Sequence, residues 1–347
     1  MRRRDFIKGI VGSATVWPLA TRAQQTDGKA HVGLLGPSLD NVLARTGYEA
    51  FTAELQKLGF SEGKNLQLHY GRTDQGMDLA VAAARELVAA KTNVIVAVGP
   101  EISLRAALAP NAGLPIVILA FNYDPIARGY VESLAHPGGN ITGVFTRQPE
   151  LAVKQLELLV EAFPEKNQLG ILWDDQTTEQ FESAEQEAQK NRLAMKSIKL
   201  TSPPYDFEKA FRTAKENGVQ ILLVLSSPLF APHSKEIADL AMRYQLPAMF
   251  TFKFYVKDGG LMSYGVDTDP LYRRGAAFVA KILRGAKASD LPVEQATNFE
   301  LTVNLKTAKA AGFTLPISIL LRANLGEPMS AFGGTADIQP IPCDVCF

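Results

Sequence analysis

The sequence predicts an α/β protein of two Rossmann-like lobes with parallel sheets and a hinge cleft between them. Three observations predict it. Short apolar runs alternate with helical patterns from residue 31 onward, the same alternation restarts after residue 145, and 347 residues exceed what one compact α/β core fills once a leader is subtracted.

The first run, 31–35, reads as a strand and leads into a helix whose apolar residues Ala44, Tyr48, Phe51, Leu55 and Leu58 follow helical spacing, with Gly59 placed to end it. Such a stripe must face a sheet. A strand at 65–70 precedes a helix at 78–90, a strand at 94–98 precedes a helix at 103–108, and a strand at 115–119 follows. After a strand at 140–145 the pattern begins again, with a helix at 151–162, a strand at 169–173 and a long polar helix at 178–193. Strands at 195–200, 220–225 and 247–252 then alternate with helices at 206–217 and 234–244. A strand at 261–264, a helix at 270–284, a strand at 299–304 and a helix at 305–311 close the pattern. No Gly/Ser linker separates the lobes, so short crossings serve as the hinge.

Composition narrows the function. Lys plus Arg and Asp plus Glu balance at 36 each, so no net field recruits nucleic acid or an anionic membrane, and no nucleic-acid partner is expected. The two cysteines, Cys343 and Cys346, lie at the end of the chain, which leaves the folded body without a disulfide framework, metal knuckle or cysteine nucleophile. His31, His69, His136 and His233 form no metal-ligand spacing, and no nucleophile elbow, zinc-protease motif, phosphate loop or dinucleotide fingerprint is present. No metal is expected, and the missing motifs weigh against an enzyme without excluding one.

The amino terminus has a basic start at Arg2-Arg3-Arg4, a short apolar stretch from Gly9 to Ala20, and small residues before Gln24. Arg3-Arg4-Asp5-Phe6-Ile7-Lys8 resembles the twin-arginine export signal. The apolar stretch falls short of the roughly 20 residues that span a bilayer. Residues 1–23 are thus read as a signal peptide, and the mature chain, from Gln24, as periplasmic.

In open parallel sheets ligands bind beyond the carboxyl ends of the strands, so candidate contacts are the residues just after each one. In the first lobe these are Ser38, Pro100, Glu101, Asn122 and Asp124; in the second they are Asp174, Asp175, Ser226, Ser227 and Phe252, with Tyr264 at the final crossing. Asp124 is either a counterion for an ammonium in the cleft or the cap of a helix beginning at Pro125. Ser38, Ser226 and Ser227 carry the same double reading. Phe252, Tyr264, Phe145 and Trp173 either wall an apolar pocket or pack in the core.

The leader, the turn from Ala135 through Gly138-Gly139-Asn140 to Val144, the segment Gly259-Gly260-Leu261-Met262-Ser263-Tyr264-Gly265, and Asn298-Phe299-Glu300-Leu301 with the run Val303 to Ala310 together resemble the ABC transporter substrate-binding protein family of type I periplasmic-binding fold. The resemblance covers nearly all of 31–323 and implies two lobes with three crossings, no cofactor, and a small-molecule solute passed to separate permease and ATPase subunits; a monomer is expected. Some relatives bind aromatic or other apolar amino acids. It also implies the lobe partition: 31–144 with about 266–290 in lobe one, and 145–265 with about 291–323 in lobe two. Residues 324–347 form a tail with no family counterpart. Two departures lie at the cleft, where Pro100-Glu101 replaces small residues and Asp174-Asp175-Gln176 replaces an Asn-Pro-rich loop; the added acids suit a cationic or amine-bearing solute. The expected function is capture of such a solute by hinge closure for an ABC importer, set against an exported enzyme using Asp124, Glu101 or Asp175, or a sensory domain.

Overall fold

The computed structural model describes residues 28–40 and 42–325; the leader and the tail beyond 325 lie outside the described residues. The chain opens with β1 (Ala30–Gly36), α1 (Val42–Lys57), β2 (Leu66–Arg72), α2 (Met77–Ala89), β3 (Val94–Gly99), α3 (Glu101–Leu108), β4 (Ile116–Ala120) and β5 (Ile141–Phe145). It crosses into α4 (Gln148–Ala162), β6 (Gln168–Asp174), α5 (Thr178–Lys190), β7 (Ala194–Leu200), α6 (Phe207–Glu216), β8 (Ile221–Val224), α7 (Ser234–Arg243), β9 (Ala248–Phe250), α8 (Lys253–Lys257) and β10 (Met262–Val266). Then come α9 (Thr268–Leu283), β11 (Val293–Gln295), β12 (Phe299–Val303), α10 (Leu305–Ala311), α11 (Ile317–Arg322) and β13 (Ala323–Leu325).

Two sheets result, one in each lobe. The first runs β11-β5-β4-β3-β1-β2 with every pair parallel; the second runs β13-β12-β10-β9-β8-β6-β7 and contains one antiparallel pair, β10 with β12. Every residue of β3, β4 and β5 is buried, as expected of parallel strands with helices on both faces. The edge strand β7 has no buried residue at all, which fits a strand with one sheet neighbour and a solvated face.

The chain passes between the sheets after β5, after β10 and after β11, giving three crossings. Asp267 shapes the second by accepting a hydrogen bond from the Asp269 amide at the start of α9. That helix packs on α1 of the first lobe. The approach is close enough that a Cβ on Gly47 would overlap the Tyr272 ring, which explains a glycine in the middle of α1. One apolar cluster runs unbroken from Val96, Leu119 and Phe121 in the first lobe to Phe230, Phe252 and Phe254 in the second, so the lobes share core as well as backbone.

The structure departs from the sequence reading in five places. Strand β11 pairs with β5, so residues 293–295 extend the first sheet, whereas the sequence reading placed everything from about 291 in the second lobe. Residues 125–129 form turns, not a helix beginning at Pro125. The short α8 and α11 were not anticipated, because five or six residues are too few to display a period. Strand β13 pairs with β12, so residues 324 and 325, expected to begin the tail, still belong to the sheet.

Candidate functional site

The carboxyl ends of β1, β3 and β4 face those of β8 and β9, and a cavity of about 50 Å³ lies between them. The first lobe supplies Pro37, Val98, Gly99, Pro100, Phe121 and Asn122, with Ala44 and Tyr272 from α1 and α9; the second supplies Ser226, Ser227, Pro228, Ala231, Phe252 and Tyr255. Each loop leaves a buried strand and turns at once into a helix or a tight turn. Gly99 makes its turn at a φ of 92°, which only glycine adopts without strain. Burial keeps the Tyr255 and Tyr272 hydroxyls well above the ordinary phenol range, so both walls are neutral at any physiological pH.

Asn122 joins the lobes. Its φ of 65° is the left-handed conformation that Asn tolerates better than most residues, and it aims the side chain across the cleft. The Asn122 Nδ2 donates to the Ser226 carbonyl at 2.9 Å, and Gln180 Nε2 donates to Asn122 Oδ1 at 3.2 Å. The Ser226 hydroxyl lies 3.0 Å from both Asn122 Oδ1 and Gln180 Oε1, and its single proton serves one of them at a time. Beside this network the Phe121 and Phe252 rings meet edge to face, 6.2 Å between centroids. At the rim, Arg128 of the first lobe pairs with Glu179 at the start of α5.

Of the sequence-predicted residues, Pro100, Asn122, Ser226, Ser227 and Phe252 line the cavity. The acids do not. Asp174 is buried and accepts from the Gln176 amide at 3.0 Å, the Tyr205 hydroxyl at 3.1 Å and the Ser227 hydroxyl, so it holds Ser227 from behind. Burial, reinforced by that carboxylate, pushes Tyr205 up to about 12 and keeps it a donor. Asp124 caps a turn through the amides of Ile126 and Ala127, at 2.8 and 3.2 Å, and its other oxygen lies 3.4 Å from Arg147. Glu101 accepts from the Tyr130 hydroxyl at 2.6 Å and lies 3.7 Å from Arg128; burial and this bond push Tyr130 up to about 12.

Asp175 is exposed and paired with Lys199 at 2.7 Å. Ser38 bonds Asp74 and Asp40 on the surface side of its loop. Tyr264 packs on Phe299 while its carbonyl accepts from Gln155 at 2.7 Å. Phe145 is fully buried core, and Trp173 stacks on Phe181 at 4.1 Å. The cavity residues that sequence reasoning missed divide into two kinds. Pro37, Val98, Phe121 and Pro228 sit one or two positions from named candidates, whereas Ala231, Tyr255 and Tyr272 belong to helices or short turns whose facing requires the tertiary structure. Among the described residues no cluster of three or more metal-ligating side chains occurs.

Two α/β lobes joined by three crossings enclose a small cavity where their strand ends face. The chain belongs to the ABC transporter substrate binding protein family, whose sequence profile matches residues 34–325. It is 25% identical over 280 residues to the tyrosine-binding protein of Clostridioides difficile (strain R20291), covering 79% of this chain and 77% of that one. Among solved structures it resembles a conserved domain protein from Vibrio cholerae, with TM-score 0.75, 24% identity, and 85% of this chain and 98% of the other covered. It also resembles an ABC domain in complex with L-Trp from Streptococcus pneumonia, with TM-score 0.74, 22% identity and coverage of 85% and 98%. Family membership brings with it a small-molecule solute and permease and ATPase partners.

Proposed function

We propose that this chain is the exported capture component of an ABC importer, which takes a small, largely apolar solute between its lobes, closes by a hinge at the three crossings, and presents it to the permease. The observation that carries this reading is the cavity itself. It lies where ligands bind in open α/β sheets, beyond the carboxyl ends of the strands, and residues of both lobes form its walls. At about 50 Å³ it is far below the roughly 300 Å³ at which small-molecule pockets begin, so entry of a solute requires the lobes to part. Asn122, Ser226, Ser227, Pro100 and Phe252 are the contacts proposed from the notable overlap of sequence position and cavity lining. The tyrosine-binding relative supports a solute of amino-acid size. The twin-arginine-like leader supports delivery to the periplasm.

A thermal-shift screen of the mature chain from Gln24 against amino acids, amines and small aromatic acids tests this. A true solute at a hundredfold excess over its Kd adds about 2.7 kcal/mol to folding stability and raises the melting temperature. The solute must be recovered unchanged after long incubation; a new product would favour the enzyme reading, and the absence of any stabilising compound would count against solute capture.

A further inference from the structure

We infer that the cleft recognises the apolar body of its solute through neutral walls and offers no carboxylate to an ammonium group, so that carboxylic acids lacking the ammonium bind as tightly as the matching amino acids. This rests on the solute-capture reading and specifies the chemistry of that same site.

Among the described residues, no charged side chain lines the cavity. The acids nearest to it in the chain are each committed elsewhere. Asp124 has one oxygen on two backbone amides and the other beside Arg147. Asp174 is held by the Gln176 amide and the Tyr205 and Ser227 hydroxyls, and Glu101 by the Tyr130 hydroxyl and Arg128. Asp175 and Glu179 point to solvent and pair with Lys199 and Arg128. An ammonium entering the cavity would have to take a carboxylate from one of these partners.

Neutral acceptors give it little more. Asn122 Oδ1 already receives Gln180 Nε2 and faces the Ser226 hydroxyl, while Ser227 Oγ already accepts from the Leu229 amide at 3.1 Å as it donates to Asp174. Burying a charged group without a matched partner is unfavourable, whereas the aromatic and proline walls reward apolar surface whatever the solute's amine does.

The experiment is calorimetric titration of the mature chain with four matched pairs: L-tyrosine and 3-(4-hydroxyphenyl)propionate, L-phenylalanine and 3-phenylpropionate, L-tryptophan and indole-3-propionate, and L-leucine and 4-methylpentanoate. The expected result is that, for each pair that binds, the Kd of the acid is no more than about tenfold above that of its amino acid, tenfold being the lower edge of what a charge-assisted hydrogen bond contributes. Asp124→Asn, with its melting temperature measured alongside, is expected to leave both affinities of a binding pair unchanged within threefold (about 0.65 kcal/mol). An amino acid that binds more than tenfold tighter than its partner overturns the inference and leaves solute capture intact, and a gap that collapses in Asp124→Asn or Glu101→Gln identifies the missed counterion. If neither member of any pair binds, the inference falls together with the apolar-solute reading on which it rests.

Discussion

Phe252→Ala is expected to remove solute binding at accessible concentrations and to lower folding stability by about 3 to 5 kcal/mol. The ring is buried, meets Phe121 across the cleft edge to face, and stacks on Phe254 at 5.6 Å. It therefore has two roles, as a wall of the cavity and as a link in the apolar cluster that spans both lobes. Truncation leaves a void that the packed strands beneath cannot collapse to fill. Phe252→Leu separates the roles: it restores most of the volume, so stability should fall by less than about 1.5 kcal/mol, while the edge-to-face contact is lost. Urea unfolding measures the first quantity and calorimetry the second. Solute binding at wild-type affinity by folded Phe252→Ala would remove this ring from the site.

The second large effect is expected from Asp174→Ala. The carboxylate is buried and accepts bonds from the Gln176 amide and from the hydroxyls of Tyr205 and Ser227. Removing it leaves the buried Ser227 hydroxyl without its acceptor at a cost of about 1 to 3 kcal/mol, while the half-buried Tyr205 hydroxyl and the amide of the exposed Gln176 regain part of theirs from water, so a total loss of about 2 to 4 kcal/mol is expected. The Ser227 hydroxyl is also freed to rotate, and affinity for the solute should fall beyond what reduced stability accounts for. Asp174→Asn keeps an acceptor for two of the three donors and should recover more than half of the lost stability. Unfolding midpoints of the two variants at equal denaturant slope decide it. Equal midpoints for wild type and Asp174→Ala would mean that the network contributes nothing.

The strand-helix alternation was legible because most elements are long enough to show their period and because parallel strands covered on both faces read as solid apolar runs, as in Val94–Gly99 and Ile116–Ala120. Residues just after the strands were legible for the same reason, which is how Pro100, Asn122, Ser226, Ser227 and Phe252, all lining the cavity, came to be named. The partners of the acids were not legible. Asp124, Asp174 and Asp175 looked like counterions for a cationic solute because sequence shows a carboxylate's position without its partners, and here the partners are Arg147, Tyr205, Ser227 and Lys199. Tyr272 was out of reach for another reason: α9 follows the second lobe in sequence yet packs on α1, and only the return crossing brings its ring to the cavity. Strand β11 was not foreseen, and its residues were placed with the second lobe, because three residues carry no periodic signal and none of which neighbour they pair with.

Solute capture as proposed places the ligand where the strand ends of the two lobes face. Amide hydrogen exchange of the mature chain, with and without the best compound from the screen, tests it most directly, since closure around a solute slows opening of the backbone that surrounds it. Added protection is predicted in residues 97–101, 120–123, 225–231 and 252–256, from both sides of the cavity at once. A depression on the first lobe, lined by Asn93, Pro115, Asn140 and Gly285 at the opposite ends of its strands, supplies the contrast. Protection confined to that depression, or to one lobe alone, would contradict the account.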